Sequence, residues 1–241
     1  MLQPPIGELG SANWDQVGDP IPKTLILCDL SDDCLSLLTT KHEGSKEDRN
    51  FSECTLLTAS AVLPPFPEEF SIIEELDLSG NALDSIPDNI NNLTNLRSLF
   101  LGGYPTDHPE RKNKIQALPN LSSLIHLEHL SVHDTNLSIL PELPMLSLRI
   151  LRVDRCPLDD VCFAKGKMQL PPNLTTLHLE GCSLSGSLER PDLLPDCVKE
   201  LKYLEDLQLP DGCHIGLFFG MPVNEVVSMA EKRIENDEEV V

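Results

Sequence analysis

Basic and aromatic residues are scarce in this sequence. Its 241 residues include 18 Lys and Arg but 39 Asp and Glu, which gives a formal net charge of −21. Proteins that bind nucleic-acid backbones or anionic membrane surfaces need a basic footprint, so neither class of partner is expected. Aromatic side chains make up only 4% of the chain. Leucine must therefore supply most of the hydrophobic core.

Targeting and membrane-spanning segments are missing as well. No run approaches the roughly 18 consecutive apolar residues that a membrane helix needs. The N-terminal stretch MLQPPIGELGSANWDQ has neither a basic n-region nor an apolar h-region, so we expect no secretory signal. The eight cysteines are scattered and include no C-x-x-C pair. This distribution favours reduced thiols and a cytoplasmic protein.

Motifs of common enzyme classes are also absent. There is no Gly-rich phosphate loop, no G-x-S-x-G and no H-E-x-x-H. The one form of catalysis left open is a cysteine nucleophile with a histidine in hydrogen-bond reach. We expect no catalytic residue, no cofactor and no metal, and therefore a protein that is not an enzyme.

A pattern of leucines does recur along the chain. The stretch LDLSGNALDSIP (76–87), extended back to Ile73, reads I-x-x-L-x-L-x-x-N-x-L. The second apolar position of this template is found in seven copies, at Cys54, Leu76, Leu99, Leu130, Leu151, Leu177 and Leu207. The steps are 22, 23, 31, 21, 26 and 30 residues. Internal periods of about 20–29 residues are typical of leucine-rich repeats.

Over residues 51–212 the sequence resembles the leucine-rich-repeat family. One repeat cannot bury its own leucines, so stacked neighbours must bury them. The resemblance implies an α/β repeat solenoid, a horseshoe with a parallel concave β-sheet, an irregular or short-helical convex side and helical caps. It also implies that the template asparagine, where the chain turns out of the strand, bonds backbone groups of neighbouring repeats. That place is held by Asn81 and, in other copies, by Thr135, Cys156 and Cys182, so these cysteines are expected to be structural.

Three regions are expected along the chain. Residues 1–50 form an N-terminal segment and cap. A strand is expected in 24–30, either as the first strand or as a cap strand, and a short helix in 31–41. Residues 51–212 hold about seven repeats. Residues 213–241 form a cap helix, with Val223, Val227, Ala230 and Ile234 on one face, and an acidic tail.

Two repeats are lengthened by inserts. The first, 102–114, carries two prolines and the densest basic run of the chain, so it is expected to bulge from the solenoid. Its aromatic and basic side chains are a candidate second contact for a partner: Tyr104, Arg111, Lys112 and Lys114. The second insert, 185–200, is expected to contain a helical turn on the convex side.

The concave face is where a partner is expected to bind. Because side chains alternate between the two faces of a strand, the residues on either side of each strand leucine are expected on the concave face. Adjacent strands lie about 4.8 Å apart, so residues at equivalent positions of successive repeats are neighbours. The candidate site combines an exposed aromatic with polar side chains two to three strands along: Phe100, His129, His133, Arg152, Asp154, His178 and Glu180. Aromatic and arginine side chains within a polar rim are typical of binding hot spots. The alternative is a solvated face with internal ion pairs, such as Arg152 with Glu180.

Recognition of a partner protein is the expected function, and the protein itself is expected to be a monomer. The histidines and carboxylates of the candidate site have metal-ligand chemistry, but no spacing motif supports a metal site. The Leu-Pro entries of the segments 140–158 (LPELPML) and 170–184 (LPPNL) resemble those of bacterial effectors delivered into host cells. This resemblance implies an effector that acts on a host protein. The alternative is an endogenous regulatory or adaptor subunit that docks on a phosphatase or a ligase.

Overall fold

The computed structural model describes residues 23–26, 61–62, 68–103, 112–164, 167–215 and 223–238. Within these residues the main sheet has eight strands, in the order β1 (Thr24–Ile26), β3 (Glu75–Asp77), β5 (Ser98–Phe100), β6 (His129–Ser131), β7 (Ile150–Arg152), β8 (Thr176–His178), β9 (Asp206–Gln208) and β10 (His214–Ile215). A second sheet pairs β2 (Ala61–Val62) with β4 (Leu83–Ser85). All neighbours in the main sheet are parallel except β9 and β10. The predicted leucine-rich-repeat solenoid with a parallel sheet is confirmed.

The central residue of six strands is a leucine that is buried in the core. Leu76, Leu99, Leu130, Leu151, Leu177 and Leu207 stand in register along the sheet and are each 0% exposed. Burying a leucine side chain fully contributes about 1.5–3 kcal/mol relative to leaving it exposed. Because adjacent repeats supply the covering atoms, this stabilisation exists only in the stack.

The chain leaves most of these strands through a residue with left-handed backbone geometry. That place is held by Gly80 (φ 68°), Asp134 (φ 56°), Arg155 (φ 52°) and Gly181 (φ 70°). Glycine adopts this conformation without a steric penalty, whereas Asp134 and Arg155 must be held there by their surroundings. The backbone N–H of Asp134 donates to the Asp154 carbonyl of the next repeat, and that of Arg155 donates to the Glu180 carbonyl.

The residue after this turn binds a backbone carbonyl, of its own repeat at Asn81 and Thr135 and of the preceding repeat at Cys156 and Cys182. Asn81 Nδ2 donates to the Leu78 carbonyl at 3.0 Å, and Thr135 Oγ1 donates to the Val132 carbonyl at 2.9 Å. Cys156 Sγ lies 3.2 Å from the Val132 carbonyl, and Cys182 Sγ lies 3.3 Å from that of Val153. Both thiols are buried. The prediction that these cysteines are structural is confirmed.

The strand beside β3 comes from the N-terminal part of the chain. β1 pairs directly with β3, with Leu25 opposite Leu76. β2 pairs with β4, with Ala61 opposite Leu83. The expected strand in 24–30 is thus confirmed for Thr24–Ile26. Residues 51–60 and the expected helix in 31–41 lie outside the described residues.

The first insert ends at Asn113, which holds the asparagine position of its repeat. A template of fixed spacing would place Tyr104 at that position. The Asn113 side chain is 0% exposed and takes the place of the template asparagine, and Ile115 takes that of the following leucine, with 1% exposure. The backbone N–H of Lys114 donates to the Leu83 carbonyl, so the chain has rejoined the stack by this point. Residues 104–111, with Tyr104 and Arg111, lie outside the described residues.

The convex side is built from short turns of helix, as expected. These are 3-10 turns at Glu68–Ile72, Asp88–Asn92 and Pro191–Leu193, and the helix α1 at Asp196–Lys199. The last helix, α2 (Val223–Glu238), packs on the last repeat through buried Val223 and Val227, and Lys199 Nζ lies 2.8 Å from Glu231 Oε1. α2 extends to Glu238, into the segment that was expected to form an acidic tail. Among the described residues, no helix has the length and apolarity that crossing a membrane would require.

Candidate functional site

Two columns of side chains flank the strand leucines on the open face of the main sheet, and both follow the predicted register. One column contains Glu75, Ser98, His129, Ile150, Thr176 and Asp206. The other contains Asp77, Phe100, Ser131, Arg152, His178 and Gln208. The face is therefore a regular grid in which each side chain has a neighbour on the next repeat.

An aromatic and an imidazole ring pack against each other at the middle of this face. The Phe100 and His129 ring centroids are 4.7 Å apart and the rings are nearly perpendicular, at 79°. This edge-to-face arrangement is favourable for aromatic pairs. Phe100 is consequently half-buried, not exposed as predicted. Burial, with a smaller effect from the Arg152 charge, lowers the pKa of His129, so its ring is neutral at pH 7.

A second histidine on this face lies against the backbone of the preceding repeat. His133 Nδ1 and Ser131 Oγ share a hydrogen bond of 2.9 Å. A Cβ atom on Gly102 would come within 2.2 Å of His133 Cε1, so the ring occupies the space that a side chain at position 102 would need. Burial and then the Arg152 charge lower the pKa of His133. The neutral imidazole rings of His129 and His133 therefore lie near Arg152, the one arginine in the two columns.

The carboxylates of this face are paired differently from the prediction. Arg152 Nε lies 3.5 Å from Asp154 Oδ2, and Asp154 is 1% exposed, whereas Glu180 lies 3.9 Å from Arg155 Nη1. The predicted ion pair between Arg152 and Glu180 is therefore wrong. Arg155 also forms a bidentate pair with Asp134, through Nε to Oδ1 at 2.7 Å and Nη2 to Oδ2. The left-handed geometry of residues 134 and 155 places these two side chains together.

Two histidines share one carboxylate at the C-terminal end of the face. His178 Nε2 lies 3.2 Å from Asp206 Oδ2, and His214 Nε2 lies 2.6 Å from Asp206 Oδ1. Burial acts to raise the pKa of Asp206, but the hydrogen bonds from His214 and His178 outweigh it and lower that pKa. Asp206 and His214 were not in the predicted site. The Asp211–Gly212 pair, with Gly212 at φ 80°, is a turn signal that predicts the hairpin bringing His214 back beside β9.

The site residues named from sequence fall into two groups. Phe100, His129, His133 and Arg152 lie together on β5, β6 and β7 or directly after β6. His178 and Glu180 lie one repeat further along, and Asp154 is buried between the two groups, 3.9 Å from His178 Nδ1. Lys112 is half-buried and Lys114 is exposed, on either side of buried Asn113. A Cβ atom on Gly103 would come within 3.3 Å of Lys112 Cγ, and the Lys112 charge contributes to lowering the pKa of Asp134, so Lys112 lies beside the end of the sheet face.

Metal-binding and thiol side chains are not arranged for catalysis in the described residues. Within the described parts of the chain, no group of three or more His, Cys, Asp or Glu residues is arranged to hold a metal ion. Burial raises the pKa of every described cysteine: Cys156, Cys162, Cys182, Cys197 and Cys213. For Cys197 it reaches about 11. A nucleophilic thiol needs the opposite shift.

Comparison with known proteins identifies the fold family. The Leucine Rich Repeat family model matches residues 73–93 and 173–197. Together with the six strand leucines in register on the same template, this match shows that the fold is a leucine-rich-repeat solenoid. Domains of this family are in general protein–protein interaction modules, and no catalytic family is indicated.

A search of curated proteins finds no match. Among solved structures, a leucine-rich-repeat protein of Leptospira interrogans is 20% identical with a TM-score of 0.39, over 69% of this chain and 44% of that one. The leucine-rich-repeat domain of the type III effector XopL is 24% identical with a TM-score of 0.40, over 68% and 64%. An internalin of Listeria monocytogenes is 16% identical with a TM-score of 0.34, over 63% and 47%. The chain thus spans less than two thirds of the length of each.

Proposed function

We propose that the protein binds a partner protein through the open face of the main sheet, at a patch centred on Phe100, His129, His133 and Arg152. The observation that carries this proposal is the arrangement of Phe100, His129 and Arg152 on three adjacent strands, all half-buried. Half-buried rings beside an arginine provide the large contact area that dominates binding energy in protein interfaces.

The support beneath the patch is rigid. Ser131 and Asp154 lie between the patch residues and are each 1% exposed. Backbone hydrogen bonds continue beyond the strands, from Leu101 N–H to the Ser131 carbonyl and from Val132 N–H to that of Arg152, each 2.8 Å. A surface that is already ordered loses little conformational entropy when a partner binds. Adjacent repeats can together offer the roughly 800 Å² per partner of a standard interface.

The charges around the patch indicate what the partner surface offers. Glu75 and Asp77 lie at one end of the grid, and Glu180 and Asp206 lie at the other. An apolar or aromatic group facing Phe100, with basic residues on either side of it, would complement this arrangement.

The experiment is an affinity capture from eukaryotic cytosol with three baits: the wild type, a Phe100→Ala/Arg152→Glu variant and a matched Met229→Ala/Arg233→Glu variant on exposed positions of α2. A partner bound by the wild type and by the α2 variant but lost by the patch variant is the expected result. Thermal unfolding of all three baits verifies that they are folded. A partner captured equally by all three would contradict the proposed location.

Two biological settings fit such a binding surface. In the first, a bacterium delivers the protein into a host cell, where it binds a host protein in the cytosol. The likeness of the Leu-Pro entries at 140–158 and 170–184 to those of bacterial effectors supports this setting. In the second, the protein is an endogenous cytoplasmic regulator or adaptor. A reporter fusion expressed in a bacterium with a secretion system separates the two. Reporter activity inside the eukaryotic cell supports the effector, and its confinement to the bacterium supports the regulator.

A further inference from the structure

A groove lies away from the sheet face, between the segment that leads into β8 and helix α1. Its volume is about 380 Å³, which is enough for a bulky side chain. Phe163, Leu170 and Leu201 line it and are almost fully buried, and half-buried Met145 and Met168 line it as well. Methionine side chains are flexible and polarisable, so they adapt to apolar groups of different shapes. No residue of the proposed sheet-face patch lines this groove.

An apolar ridge adjoins the groove. Ile125 is 67% exposed and Leu146 is 81% exposed. The two residues are equivalent, because Ile125 precedes Leu130 by the same number of residues as Leu146 precedes Leu151. Pro172 holds the equivalent place in the next repeat and also lines the groove. Asn173 Nδ2 donates to the Leu146 carbonyl at 3.1 Å, which fixes neighbouring repeats together at this point. The ridge and the groove therefore form one continuous, ordered apolar surface.

The charge near this surface indicates its occupant. Asp196 and Glu200 are the charged residues that line the groove, and both are acidic. Lys199, on the same helix, lies 2.8 Å from Glu231 and is thereby neutralised. A second copy of a chain with a net charge of −21 would be repelled. A basic partner segment would instead be attracted.

We propose that this groove and ridge are a second docking site, for a partner segment that places a bulky apolar side chain in the groove and a lysine or arginine beside Glu200. Such a segment joins the two chemistries that the surface offers, an apolar cavity and a nearby carboxylate. The site does not depend on the sheet-face patch, so the chain can hold two partners, or two parts of one partner, at once. Two linked sites raise the effective affinity beyond that of either alone.

The first test uses the methyl groups of the methionines, of which the chain has five. A protein labelled with 13C-methyl methionine is titrated with 4-phenylbutylamine, which combines an apolar ring with a cation, and separately with the anionic 4-phenylbutyrate. We expect saturable shifts of the Met145 and Met168 signals with the amine, weaker shifts with the carboxylate, and none for Met229, which is 58% exposed on α2. Glu200→Gln should reduce the preference for the amine. No shift at Met145 and Met168, or equal shifts at Met229, would overturn the site.

The second test identifies the peptide chemistry. Random peptides selected on the wild-type protein by phage display should be enriched in a bulky apolar residue next to Lys or Arg. Leu146→Glu changes an 81% exposed side chain and leaves the core intact, so it should weaken the selected peptides about tenfold or more without unfolding the protein. The Phe100→Ala/Arg152→Glu variant should bind them as the wild type does, so failure of the sheet-face proposal would leave this result unchanged. Peptides without basic residues, peptides indifferent to Leu146→Glu, or concentration-dependent dimerisation that Leu146→Glu abolishes would each refute the proposal.

Discussion

The side-chain amide of Asn113 completes the turn of Asn81, although 32 residues separate them. Asn113 Oδ1 accepts hydrogen bonds from the backbone N–H groups of Asn81 at 3.0 Å and Leu83 at 2.9 Å. Its Nδ2 donates to the carbonyls of Leu78 at 3.0 Å and Leu101 at 2.8 Å. One buried side chain thus bonds two successive repeats and closes the insert between them.

Asn113→Ala should therefore be among the most destabilising substitutions in the chain. It leaves buried backbone donors and acceptors without partners, and each such group costs about 1–3 kcal/mol. We expect a loss of at least about 3 kcal/mol in the free energy of unfolding, measured by urea denaturation. Asn136→Ala, at an exposed position, is the control and should change it by less than about 0.5 kcal/mol. Equal stability of the two variants would contradict this role of Asn113.

The same residue shows why part of the fold could not be predicted from sequence. The strand leucines and both columns of the open face follow from local alternation and template spacing, and the observed register agrees with them. A template of fixed spacing does not allow for an insert. It therefore assigns the asparagine position of this repeat to Tyr104, whereas Asn113 holds that position in the structure. For the strand Thr24–Ile26 the sequence left two roles open, first strand or cap strand, because its pairing with β3 spans a long stretch of chain.

The candidate site was predictable in its positions but not in its pairings. Alternation placed Phe100, His129 and Arg152 on one face, as observed. The partner of Glu180 was missed because it is Arg155, a residue after the strand whose φ of 52° the sequence pattern does not indicate. A left-handed φ at a residue other than glycine is a tertiary effect that composition does not reveal.

Gly102→Ala should destabilise the protein through a clash with His133. The added Cβ would approach His133 Cε1 to 2.2 Å, and inserting a methyl group into occupied space costs about 1–3 kcal/mol. His133→Ala removes the ring and should relieve that clash, so the double variant should be more stable than the sum of the single effects predicts. A double-mutant cycle of urea unfolding measures this coupling. Strictly additive effects would show that the ring does not lie against Gly102.

The described cysteines should react slowly with iodoacetamide near neutral pH. Burial raises the pKa of Cys182 to about 12 and that of Cys197 to about 11, so little thiolate is present at pH 7. Peptide mapping by mass spectrometry follows the labelling of each cysteine in the native protein, with the urea-unfolded protein as the control. Unfolding should accelerate labelling by at least about tenfold at both sites. Fast and selective labelling of one thiol in the native state would instead support a cysteine-dependent enzyme.

Acidification should weaken the fold through the two histidines of the sheet face. Burial lowers the pKa of His129 and His133 below the ordinary value of 6.5, so the unfolded chain takes up protons at a higher pH than the folded protein. The stability due to this difference is fully present above pH 6.5 and is lost as the pH falls from there to the lower pKa values of the folded state. In a His129→Gln/His133→Gln variant the free energy of unfolding should fall less steeply over this range. His126→Gln, at an exposed position, is the matched control. Parallel pH profiles of the wild type and the double variant would show that these rings are not held neutral by burial.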